Sequence, residues 1–168
     1  MDRHELEKFV RKEALDRAHR LQGRMMEEII ASPLSLEINQ TVIEPEKNLV
    51  FIYFRFDEYE GCARGEFMRD GTVLPHWVEI FVASLSPRLP KSFEAALEET
   101  RHSLGIGLRL MDKGTGLAIG KTCEAGESTS LQEVIELLRH VTFELRQRCV
   151  EEVEDAIAEP LEPVMSVH

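Results

Sequence analysis

The chain has 168 residues, a length that suits one domain with a continuous core. Its 43% hydrophobic and 30% charged residues are ordinary for a globular protein and argue against wholesale disorder. With 20 Lys and Arg against 31 Asp and Glu, the net charge of -11 repels phosphate backbones and anionic lipid, so neither nucleic-acid nor membrane binding is expected as its main task.

Met1-Asp2-Arg3-His4-Glu5 is charged and leads into an amphipathic pattern, so no secretory leader is expected. No run of about 18 uncharged apolar residues occurs, and no membrane insertion is expected. From Glu5 to Ile30, apolar residues recur at Leu6, Val10, Ala14, Ala18, Leu21, Met25 and Ile29, three or four apart with charges between them. That period predicts one long amphipathic helix. Ser32-Pro33 stops it, because a residue before proline is pushed out of the helical region.

Leu36, Ile38 and Val42 alternate with Glu37, Asn39 and Thr41, which predicts a half-exposed strand. Pro45-Glu46-Lys47-Asn48 reads as a turn. Leu49 to Phe56 is apolar on both faces and predicts a strand covered on both sides, by helices or by a partner. Cys62 to Met68 is a weaker strand, and Asp70-Gly71 signals a hairpin. Within His76 to Leu85, the alternation of Val78, Ile80 and Val82 favours a strand.

Ser92 caps a short helix expected from about Phe93 to Ser103. Gly107 to Met111 and Leu117 to Thr122 read as paired strands about a polar loop. Ser130-Leu131-Gln132-Glu133 has capping-box spacing. The helix it opens carries Leu131, Val134, Leu138, Val141, Leu145, Cys149 and Val153 on one stripe. At ~1.5 Å rise per residue each terminal helix is about 40–45 Å long, whereas a globule of this size has a radius of gyration of about 15 Å. Such helices must cross the domain or project into a partner. The expected fold is α+β, an antiparallel sheet with long N- and C-terminal helices and a short middle helix. One domain spans 1–158, and 159–168 forms a flexible tail.

Near-motifs do not amount to chemistry. Gly120-Lys121-Thr122 ends like a phosphate-binding loop, but position 115 is threonine where that loop needs glycine, and no helix starts directly after it. Gly105-Ile106-Gly107 lacks the third glycine of a dinucleotide site. Lys8 stands where the zinc-protease spacing from His4-Glu5 requires histidine. Asp57-Glu58-Tyr59-Glu60-Gly61 lacks the alternating ligands of a calcium loop and reads as a solvated turn. Cys62, Cys123 and Cys149 form no Cys-x-x-Cys pair, so a disulfide framework or zinc site is not expected, and a reducing cytoplasm suits the chain. Neither catalysis, a cofactor nor a metal is expected.

Leu108-Arg109-Leu110-Met111-Asp112-Lys113-Gly114-Thr115-Gly116-Leu117-Ala118-Ile119 sets two strands about a short polar turn. Glu127-Ser128-Thr129-Ser130 and Leu131 to Leu138 add a linker and a leucine-rich helix. This region, Gly107 to Ile157, resembles the class I type III secretion chaperone fold and the related bacterial sensory-transduction regulators. The resemblance implies a cofactor-free homodimer that holds an extended client segment on apolar patches beside its sheet, through strand addition and side-chain pockets. Candidate patch residues are Leu36, Ile38 and Val42, or Val50, Ile52 and Phe54. The rival expectation is a small-molecule binder or enzyme whose pocket gathers Arg55, His76, Trp77 and His102.

Overall fold

The computed structural model describes residues 1–83, 95, 98–99, 102, 107–112, 117–123 and 131–158. Asp2 opens helix α1 (Arg3–Ile30) with a capping box: its carboxylate accepts the Glu5 N–H at 2.7 Å, and the Glu5 carboxylate accepts the Asp2 N–H at 3.2 Å. The helix therefore starts two residues earlier than its apolar rhythm alone indicates. It ends at Ala31, ahead of Ser32-Pro33, where the expected stop lies.

Six strands follow: β1 (Glu37–Glu44), β2 (Leu49–Phe56), β3 (Tyr59–Glu66), β4 (Trp77–Ala83), β5 (Arg109–Asp112) and β6 (Leu117–Thr122). They form one antiparallel sheet in the order β1-β2-β3-β4-β6-β5. Helix α2 (Leu131–Ala158) completes an α+β fold. The middle helix expected at about Phe93 to Ser103 falls mostly outside the described residues, as do the Ser130 cap and the tail at 159–168. No described helix is long and apolar enough to cross a membrane.

Local turn chemistry sets the hairpins. Pro45–Lys47 is a 3-10 turn closed by Asn48 at φ 56, a left-handed conformation that asparagine tolerates. Phe56 pairs with Tyr59, so only Asp57 and Glu58 form the β2–β3 turn. The rest of the acidic stretch expected as a turn, Tyr59 to Gly61, belongs to β3. Past β3 a bridge between Phe67 and Val73 closes the Asp70-Gly71 turn, with Gly71 at φ 89.

Both helices pack on the same sheet face. Val50, Ile52 and Phe54 of β2, Val78 and Ile80 of β4 and Ile119 of β6 share one core with Leu21, Met25 and Ile29 of α1 and Leu131, Leu138 and Leu145 of α2. The glycine at 65 admits α1, since a Cβ there would stand 2.5 Å from Met25 Sδ. Gln132 at the start of α2 donates to the Glu28 carbonyl at 2.7 Å and ties the helices together.

Two expectations change here. On the other side of β2, Phe51 is half-buried while Tyr53 and Arg55 are exposed, so the described helices cover only one face of this doubly apolar strand. In β1, Ile38 pairs with Phe54 but Gln40 pairs with Tyr53, a bulge that inserts Asn39 as an extra residue. The bulge switches the phase of alternation, because one added residue exchanges the two faces. Ile38 and Ile43 therefore lie on the helix side, whereas Val42, opposite Phe51, lies on the open side.

Candidate functional site

Neither of the two alternative triplets expected as a docking patch forms an exposed surface. Val50, Ile52 and Phe54 are completely buried beneath the helices. They are core residues and cannot meet a client in this fold. Leu36 and Ile38 are half-buried and pack against the same core. Val42 alone faces the open side, at the edge of a half-buried strip with Phe51 and Trp77.

The rival pocket does not assemble either. Arg55 pairs across the ladder with Glu60 and donates to Glu37 at 3.1 Å, while Trp77 pairs with Arg64. Four ladder positions along β3 separate them, about 13 Å at ~3.3 Å per residue. Trp77 lies over Gly120 and donates through Nε1 to Glu79 at 2.9 Å. His102 is exposed. His76 is half-buried, its Nδ1 is enclosed without a hydrogen-bond partner among the described residues, and burial holds it below its ordinary pKa. No cluster of three metal-binding side chains occurs among the described residues.

Cys62 and Cys123 are buried, and no disulfide joins them among the described residues. Burial pushes Cys123 from 9.0 up to about 11, helped by the Glu28 charge and opposed by Lys121. The unfolded thiol then ionises first, so its contribution to stability is complete below pH about 9 and declines as pH climbs toward about 11. Cys123→Ala is expected to flatten that part of the curve of urea midpoint against pH. An unchanged slope would place the thiol in water.

The exposed feature is α1 itself. Only its second half reaches the core, through Ala18, Leu21, Met25 and Ile29. Residues 3–16 lie beyond it, about 21 Å of helix at ~1.5 Å per residue. Leu6, Phe9 and Val10 are 51%, 50% and 56% exposed there, three large apolar side chains at i, i+3 and i+4 on one face.

The same helical face continues as Glu13, Arg17, Arg20 and Arg24, again three or four apart. The arginines form one wall of a cleft of about 320 Å³, and Phe67, Asp70 and Val73 form the other. Arg17 donates to the Arg69 carbonyl, fastening helix to turn. Arg20 donates to the Asp16 carbonyl, and neither Arg20 nor Arg24 has an ion pair among the described residues. Asp70 is occupied by its own turn: the Thr72 N–H donates to it at 2.9 Å and holds its carboxyl below the usual range, with Arg17 contributing. Periodicity alone reads only the core stripe of this helix. The signal for the second stripe is present in the spacing of Arg17, Arg20 and Arg24, but arginines are ordinary on a solvated helix face until a cleft opens beside them.

At the far end of β3, a second cleft of about 370 Å³ lies between the Asp57-Glu58 turn and α2, where Arg139 reaches Asp57 at 3.3 Å. No family model, curated protein or solved structure matches the chain.

Proposed function

We propose that this protein is a non-catalytic, chaperone-like or regulatory protein-binding module that acts as a homodimer, with the projecting half of α1 as its contact arm. The observation that carries this reading is the exposure of Leu6, Phe9 and Val10 together on a helix that continues into the core. Isolated helices of this length are marginal in water, and an apolar face on one gains stability only by being covered. The apolar patches that the chaperone resemblance assigns beside the sheet move, in this reading, from β2 to the arm.

Light scattering during size exclusion tests it. The wild type is expected to be dimeric at micromolar concentration, and the combined variant Leu6→Asp, Phe9→Asp, Val10→Asp monomeric. The urea midpoint of that variant should match that of the wild type diluted until it is monomeric and should not vary with protein concentration, because none of the three side chains touches the core and only the dimer's contribution is lost. A wild type that stays monomeric throughout that range overturns the homodimer.

A further inference from the structure

We infer that the arginine cleft beside α1 is a binding site for a compact phosphate monoester, a phosphate carried on an apolar group. The site belongs to a single chain and does not rest on the homodimer reading.

The overall charge of -11 repels extended polyanions, but a small ligand meets the local field of a cleft. From Arg17 to Arg24 the helix holds three arginines and no acid. Arg20 follows Arg17 by three residues and Arg24 follows Arg20 by four, so the three are surface neighbours whose charges repel. The chain has 31 Asp and Glu, yet neither Arg20 nor Arg24 is ion-paired among the described residues. Among those residues Asp70 is the one acid in the lining, and it accepts the Thr72 N–H within its own turn, beside Arg17. Positive charge is therefore gathered where the fold leaves it unneutralised, an arrangement that an anion in the cleft stabilises.

A phosphate monoester near pH 7 carries close to two charges and three outer oxygens, enough to accept paired hydrogen bonds from two guanidinium groups. A carboxylate offers one charge and two oxygens. Arg20 and Arg24 lie one turn apart on the same helical face, so both reach one phosphate. Arg20 spends only its Nε, on the Asp16 carbonyl at 3.4 Å, and its terminal nitrogens have no partner among the described residues. Arg17 is half-buried and held to the Arg69 carbonyl, which fixes helix and turn before a ligand arrives. The remaining wall sets what the phosphate is attached to. Leu21 and Phe67 are buried at its base and Val73 is 40% exposed, an apolar surface that offers side-chain contact and no side-chain hydrogen bond. A cleft of about 320 Å³ is at the small end of ligand sites, which run from ~300 to ~1,000 Å³, so the ester is compact.

Calorimetric titration of the full chain with phenyl phosphate at low salt tests the site. At pH about 7.5 a single-site complex with a dissociation constant below about 1 mM is expected. The pair Arg20→Gln and Arg24→Gln should weaken it about tenfold or more, because both charge-assisted grips are lost. The pair Lys8→Gln and Lys12→Gln removes the same charge from the same helix outside the cleft and should leave the affinity near wild type. Benzoate lacks the second charge and inorganic phosphate lacks the apolar group, so each should bind severalfold more weakly. Lowering the pH to about 5 should weaken phenyl phosphate, whose second ionisation lies near ~6. The arginines keep their charge over that range, Asp70 is held below the usual carboxylate range and stays ionised, and no histidine lines the cleft among the described residues. Circular dichroism melts confirm that the variants are folded. A short phosphotyrosine peptide that binds more tightly than phenyl phosphate places the ester on a modified protein, and one that binds no better places it on a free small molecule. The site is wrong if phenyl phosphate does not bind up to about 10 mM. It is equally wrong if the lysine pair weakens binding as much as the arginine pair, or if benzoate or inorganic phosphate binds as tightly as the ester. None of those results bears on the homodimer, which light scattering decides separately.

Discussion

Replacing Phe54 with alanine is expected to lower stability by about 3–5 kcal/mol, a large part of the ~5–15 kcal/mol that holds a typical domain together. The ring is completely buried, stacks on Phe56 with centroids 6.0 Å apart, and stands across the strand from Gly61. Ile38 faces it from β1. Truncation therefore removes apolar burial and leaves a cavity walled by strands that cannot collapse into it. The urea midpoint should fall sharply with the slope of the transition unchanged. A variant as stable as the wild type would return Phe54 to the surface, and with it the docking role first expected for Val50, Ile52 and Phe54.

The second large effect is expected at Gly61, through overcrowding. A Cβ there would come within 2.6 Å of two Phe54 ring atoms and 2.9 Å of the Glu79 carbonyl oxygen. The ring is locked in the core and the carbonyl belongs to the neighbouring strand, so neither yields cheaply. Gly61→Ala is expected to cost about 1–3 kcal/mol despite alanine's lower backbone entropy. Gly107→Ala is the control: among the described residues nothing lies within 4 Å of a Cβ there, and its midpoint should stay close to wild type. Equal losses at both glycines would mean that backbone freedom, and not the Phe54 ring, decides the cost.

The two substitutions bear on function because they separate core from contact surface. Variants of Phe54 and Gly61 should lower stability at every protein concentration, whereas the arm variant at Leu6, Phe9 and Val10 should alter assembly and remove only the concentration-dependent part of the midpoint. A protein whose oligomeric state followed the core variants and ignored the arm would require a different interface.

Much of the architecture is legible before any coordinates. The three-to-four spacing from Leu6 to Ile29 marks α1, the alternation of Val78 and Ile80 marks β4, and Asp70-Gly71 marks the turn after β3. The Asp2–Glu5 capping box was readable too, as an acid three residues ahead of a glutamate at a helix start. The apolar spacing of α1 does not show where the core ends. Leu6, Val10 and Ala14 continue the rhythm of Ala18 and Leu21, yet the sheet lies only beneath the second half of the helix. Likewise, Val50, Ile52 and Phe54 read equally well as a docking patch or as core until a helix is placed over them.

By itself, then, the sequence determined the α+β class, the long terminal helices and most strand positions. These are set by local backbone preference, by the period of apolar residues and by composition, all of which act over a few neighbouring positions. Tertiary structure alone decided that Asn39 is bulged, which sends Val42 to the opposite face from Ile38. It also decided that the β2 patch is buried, that α1 outruns its sheet, and that three arginines border a cleft. Each of those outcomes depends on which distant segment packs against a residue, and side-chain period carries no information about the neighbour on the other side.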